Sequence, residues 1–144
     1  MKVVDANVLL YAVNEDEPHH EVSRGWLDSA LSGRETVGFA WIALLAFVRL
    51  ATKPGLFPRP LEAAQALDRV DAWLGASPAV LVEPGSNHPE ILRRLLEEAG
   101  TAGNLTSDAH LAAIAVAHRA KVVTFDRDFE RFPGVRWERP YLLS

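Results

Sequence analysis

Lys2-Val3-Val4-Asp5-Ala6-Asn7-Val8-Leu9-Leu10-Tyr11 sets a short apolar strand ahead of an acid, and that acid ahead of an apolar helical run. Lys121-Val122-Val123-Thr124-Phe125 repeats the first half of the pattern and ends on Asp126. Short apolar strands alternating with helical segments predict a parallel sheet covered by helices. In an open sheet of that kind the carboxyl ends of the strands face one crevice, where ligands bind. A helix beginning near Ser107 brings Asp108 to the same end. Carboxylates gathered there repel one another, and a divalent cation relieves the repulsion. Hard oxygen donors suit Mg²⁺, with Mn²⁺ as a substitute. The pattern points to a metal-dependent enzyme acting on phosphates.

The chain has 144 residues, which predicts a single domain over 1–144 that buries about 68–70% of its unfolded surface. Hydrophobic residues at 49% and charged residues at 24% are ordinary globular values and exclude wholesale disorder. The absence of cysteine removes disulfides, thiolate metal sites and cysteine nucleophiles, and fits a cytoplasmic location. Asp5 and Asn7 fall where a secretory leader needs an apolar core, so no leader is expected. The longest uncharged stretch, Thr36 to Val48, is too short to span a bilayer, so no membrane association is expected. A net charge of −4 argues against a protein that coats nucleic acid, but not against one that cleaves it. Local cations would then grip the phosphates; Arg49, Lys53, Arg59, Arg119, Lys121, Arg127 and Arg131 are the candidates.

The spacing predicts strands at Lys2–Val4, Thr36–Gly38, Ala79–Val82 and Lys121–Phe125, with a short edge strand at Val135–Trp137. Ala79–Val82 reads as a buried strand because it is continuously apolar. Helices are predicted over Asn7–Tyr11, Pro18–Leu31, Trp41–Thr52, Leu61–Leu74, Asn87–Ala99 and Ser107–Arg119. Trp41, Leu44, Leu45 and Val48 follow the helical i, i+3, i+4, i+7 rule. The prolines at 54, 58 and 60 make the segment between them a loop.

Each acid has a bland explanation. Asp5 could simply cap a helix, Asp126 and Asp128 could shape a turn, and Asp108 could answer a helix dipole behind Thr106 as N-cap. Asp108 nonetheless shares its helical stripe with Leu111, Ala112 and Ala115, and an unpaired buried carboxylate is costly. Acids at the same end of three elements fit hydrolysis of a phosphodiester by in-line attack of an activated water. The histidines do not form a zinc helix. His88 and His118 read as isolated, and His110 as a residue at most reaching the site's rim. There is no glycine-rich phosphate loop after a strand and no nucleophile elbow.

Lys2 through Tyr11, Trp41 through Pro54, Asn104 through Ala113 and Thr124 through Phe132 together resemble PIN-domain ribonucleases, most closely the VapC toxins of type II toxin–antitoxin modules. The resemblance implies a PIN-like three-layer α/β/α fold with a central, mostly parallel sheet of four or five strands. It implies Mg²⁺ or Mn²⁺ as cofactor, endonucleolytic cleavage of RNA, a homodimer, and a VapB-like antitoxin that blocks the site. Carried over by motif, Asp5, Asp108 and Asp126 become metal ligands, and Asp128 joins them as a catalytic carboxylate acting through water or beside the ligands. Asn7 and Thr124 become groups that orient the ligands, with Arg49 positioning substrate. One departure stands out. Many family members carry a glutamate three residues before that arginine, where this chain has Ala46. The alternative reading is therefore a catalytically weakened or silent PIN domain that binds RNA or protein. A phosphoryl-acceptor receiver domain would need a lysine after the last strand, and Lys121 lies at the start of its strand instead.

Overall fold

The computed structural model describes residues 1–142. Five parallel strands form one sheet: β1 (Lys2–Val4), β2 (Val37–Phe39), β3 (Ala79–Leu81), β4 (Lys121–Val123) and β5 (Trp137–Glu138), in the order β3-β2-β1-β4-β5. Six α-helices join them: α1 (Ala6–Val13), α2 (His20–Leu31), α3 (Trp41–Thr52), α4 (Ala63–Leu74), α5 (His88–Ala99) and α6 (Thr106–Ala117).

Alternation along the strands sorts side chains into two cores. Val4, Val37, Phe39 and Val123 pack with Leu9, Trp26, Phe47 and Trp73 on one face, under α1 to α4. Val3 and Val122 pack with Leu95, Leu111, Ile114 and Phe129 on the other, under α5 and α6. The result is the expected α/β/α sandwich. At Gly38 the packing is tight: a Cβ there would meet Val82 at 3.1 Å and Val3 at 3.2 Å, and those side chains would have to give by a few tenths of an ångström.

The chain runs from β1 outward to β3, then returns to the opposite side of β1 for β4 and β5. The switch in direction opens a crevice between the carboxyl ends of β1 and β4, the ligand position in open α/β sheets. Register then does the positioning. Val3 pairs Val122 and Val4 pairs Val123, so the next residues along, Asp5 and Thr124, emerge side by side.

Several expectations need correction. Ala79–Leu81 is not buried: it is the outer strand beyond β2, and Val80 and Leu81 are exposed. Continuous apolarity marks burial on both faces only for strands inside the sheet. Thr106 is not the N-cap of α6; it is the first helical residue, and its hydroxyl donates to the Gly103 carbonyl at 2.7 Å. A 3-10 turn over Gly103–Leu105 leads in ahead of it. β4 stops at Val123 rather than Phe125, because the Phe125 N–H leaves the ladder for Asn7 Oδ1, 3.1 Å away. His88 is not isolated, since its Nε2 lies 2.9 Å from His110 Nδ1. That pairing turns His110 toward α5 instead of the crevice.

Candidate active site

Asp5 directly follows β1 and caps α1, its Oδ1 accepting from the Ala6 N–H at 2.8 Å. Its Oδ2 accepts from the Thr124 hydroxyl at 2.7 Å and from Asn7 Nδ2 at 3.4 Å. Thr124 is fully buried, and its hydroxyl is fully used. Besides donating to Asp5, its oxygen accepts from the Asp126 N–H at 3.0 Å and from Asn7 Nδ2 at 3.1 Å. A hydroxyl offers one proton and two lone pairs, so this geometry leaves it no freedom to rotate. Asn7 closes the mesh by accepting the Phe125 N–H. A bland N-cap is thus only part of what Asp5 does.

Asp126 turns the chain into a 3-10 segment over Arg127–Arg131, its Oδ1 accepting from the Asp128 N–H at 2.9 Å. Asp108 comes from the first turn of α6. Carboxylate oxygens of Asp108, Asp126 and Asp128 come within 4.8 Å of one another. Asp5 lies outside that triplet but close enough for its charge to act on Asp108. The crevice, of about 490 Å³, is lined by Asp5, Asn7, Asp108 and Asp126 on one side and by Ile42, Ala46 and Arg49 on the other. Arg49 is the only cation among the described residues lining it. The remaining candidate cations do not line it, and Arg127 pairs with Glu130 at 3.7 Å.

The electrostatics are those of crowded, partly buried carboxylates. The Asp108 carboxyl is pushed up to about 7, first by burial, then by the charges of Asp5, Asp126 and Asp128. Burial also raises Asp5, against the lowering effect of its hydrogen bonds from Thr124 and Ala6, while Asp126 adds to the rise. Carboxyl groups with raised proton affinity, held as hard oxygen donors a few ångströms apart, fit a divalent cation. Ala46 lines the crevice together with Arg49, so the position at which the family resemblance predicts a glutamate faces the crevice.

Two features escaped sequence reasoning. Ser107 also lines the crevice, and nothing in its local pattern marks it. Tyr11, His19 and Phe125 form an aromatic cluster beside Asp126. Tyr11 could have been found, because it lies one helical turn beyond Asn7. His19 could not, since its contact with Phe125 is purely tertiary.

A parallel α/β/α sheet with carboxylates converging at its switch point defines the class. The residue pattern of the PIN domain matches residues 2–135, and the chain belongs to that family. It is 61% identical over 143 residues to Ribonuclease VapC37 of Mycobacterium tuberculosis (strain ATCC 25618 / H37Rv), covering 99% of each chain. It is 41% identical to Ribonuclease VapC31 of the same strain, covering 99% of this chain and 100% of the relative. Its fold matches the crystal structure of M. tuberculosis VapC20, described as a sarcin–ricin loop cleaving toxin, with a TM-score of 0.69 at 16% identity, covering 94% of this chain and 99% of that one. The VapBC2 structure from Rickettsia felis, bound to a DNA fragment from its promoter, matches with a TM-score of 0.70 at 22% identity, covering 96% and 98%.

Proposed function

We propose that this chain, acting as one PIN domain, is the toxin of a type II toxin–antitoxin module and a Mg²⁺-dependent endoribonuclease, with Mn²⁺ able to substitute. The observation that carries the reading is the convergence of Asp5, Asp108, Asp126 and Asp128 beside Arg49 in a full-length relative of VapC ribonucleases. Asp5, Asp108 and Asp126 would hold the cation, with Asp128 at hand as a further carboxylate. Bound there, a divalent ion supplies Lewis acidity toward the scissile phosphate and the attacking water.

The chain's own residues do the rest. Thr124 and Asn7 fix the Asp5 carboxylate, so its oxygens need no reorganisation on loading. The Asp108 carboxyl, raised to about 7, is partly protonated near neutral pH, so it must lose that proton on binding a cation, which would relieve the repulsion that helps to raise it. No ion pair among the described residues occupies Arg49, which leaves its guanidinium available to a phosphate across the crevice. Several structural neighbours are VapBC complexes, which supports a VapB-like antitoxin as partner. A homodimeric toxin and a cytoplasmic site of action belong to the same reading through the family resemblance alone. No helix of the described residues is long and apolar enough to cross a membrane.

The test is single-turnover cleavage of RNA by the purified protein under Mg²⁺ and under EDTA. Cleavage should require the cation and be lost in Asp5→Asn and Asp108→Asn, with both variants folded. Full cation affinity by calorimetry in the doubly substituted protein would sink the ligand assignment.

A further inference from the structure

Beside the carboxylates three rings from three segments meet. Tyr11 belongs to α1, His19 to the loop ahead of α2, and Phe125 lies between Thr124 and Asp126. The His19 and Phe125 rings stack at 4.5 Å between centroids and 23° between planes. Tyr11 tilts against both, at 5.3 Å from Phe125 and 5.9 Å from His19. The Arg139 guanidinium lies 5.9 Å from the Phe125 centroid. Tyr11 and Phe125 are half-buried and lean on the α1–α4 core, so packing accounts for part of them. It does not account for His19, which is exposed and yet lies flat on Phe125. The neighbouring His20 fixes that loop from beneath, its Nδ1 donating to the Tyr11 carbonyl at 2.8 Å.

We infer that the Tyr11–His19–Phe125 cluster, with Arg139 over the Phe125 ring and the exposed His19 as its outer surface, is a stacking platform for one unpaired nucleobase of the RNA, next to the phosphate engaged by the carboxylates. The inference rests on the nuclease reading above and adds a contact with the base. Its chemistry is direct. Bases stack on aromatic rings and guanidinium planes, and only an unpaired base has a face to offer. A chain of net charge −4 gains little from bulk attraction to RNA, so stacking and a local arginine must supply grip near an acidic site. Adjacency follows from the backbone: Phe125 immediately precedes Asp126, and its N–H binds the same Asn7 that braces Asp5.

The test separates the base from the phosphate. In the wild-type protein, titration with 5′-adenylate should shift the ring protons of Tyr11, His19 and Phe125 upfield in NMR spectra. Ribose 5-phosphate, which lacks the base, should leave them in place. His19→Ala should weaken 5′-adenylate binding about tenfold and lower kcat/KM on single-stranded RNA by a similar factor, while His19→Tyr retains both. Equal shifts from ribose 5-phosphate, or a His19→Ala protein that binds 5′-adenylate as the wild type does, would overturn the platform. Base-dependent shifts in a protein that cleaves no RNA would uphold the platform and overturn the nuclease reading instead.

Discussion

Ala46 stands where the family resemblance predicts a glutamate, and the crevice around it says what introducing one should do. Ile42, Ala46 and Arg49 all line the cavity, so a side chain added at Ala46 enters open space rather than core. We expect Ala46→Glu to tighten Mg²⁺ binding and raise single-turnover cleavage, each by about tenfold, in the range that orienting groups contribute at metal sites. Without the ion the extra carboxylate adds repulsion, so the metal-free variant should melt below the parent and the loaded one should not. A melting temperature that falls by the same amount with and without Mg²⁺, with unchanged metal dependence, would mean that Ala46 is simply packed. Overpacking then costs about 1–3 kcal/mol. Residues of this site were legible where the signal was local. Asp5 and Asp126 each follow a run of apolar strand residues, and sheet register does the remaining work of bringing them together. Thr124 and Asn7 were legible through the family motif alone, because nothing in a strand-end threonine foretells a hydroxyl with three partners. Local pattern is equally silent on the His19–Phe125 stack, which no spacing rule connects.

At the scale of the element, α6 delivers a carboxylate into a nest of others and makes stability depend on pH. The Asp108 carboxyl sits at about 7 in the folded protein against an ordinary 3.8, and Asp5 is raised in the same direction. Between those values the folded state binds more protons than the unfolded one, so stability falls as pH rises. The penalty is absent below about 4 and complete above about 7. In EDTA, the melting temperature should therefore decline across that window, and Asp108→Asn should flatten the decline and raise the value at its alkaline end. Mg²⁺ should restore stability most where the decline is deepest. A metal-free protein whose melting temperature rises over the same window would contradict the cluster's electrostatics. Helices were largely legible, since all but the eight-residue α1 run for a dozen residues; their starts slipped by up to two positions where a turn precedes them, as at Pro18 and Leu61. The exposure of β3 was not, because strand order belongs to the whole sheet and leaves no mark on Ala79-Val80-Leu81 itself.

For the whole molecule, the apolar surface left outside the core bears on how many copies assemble. Four tryptophans and the Leu56–Phe57 loop suggest more large apolar surface than one small domain can hide, but folding absorbs much of it. Trp26, Trp73 and Phe57 are buried, Trp73 edge-on against Phe47 at 4.8 Å. What remains outside is more local. Trp41 and Leu45, 43% and 59% exposed, stand one turn apart on α3. Val80 and Leu81 add an apolar outer strand with its hydrogen-bonding edge unpaired among the described residues. Water-exposed ridges and bare strand edges of this kind invite association. We expect a dimer in solution, sedimenting at about twice 15.8 kDa, with α3 at or near the contact. Leu45→Glu would place a charge on the ridge and should shift the equilibrium toward the monomer without lowering the melting temperature of the dilute protein, because Leu45 supports no core. Tryptophan emission gives a second handle: Trp41, the most exposed of the described tryptophans, should move to the red on dissociation, and that shift should vanish in Trp41→Phe. A single species of 15.8 kDa at tens of micromolar would refute the dimer and leave the α3 ridge as the surface offered to a different protein.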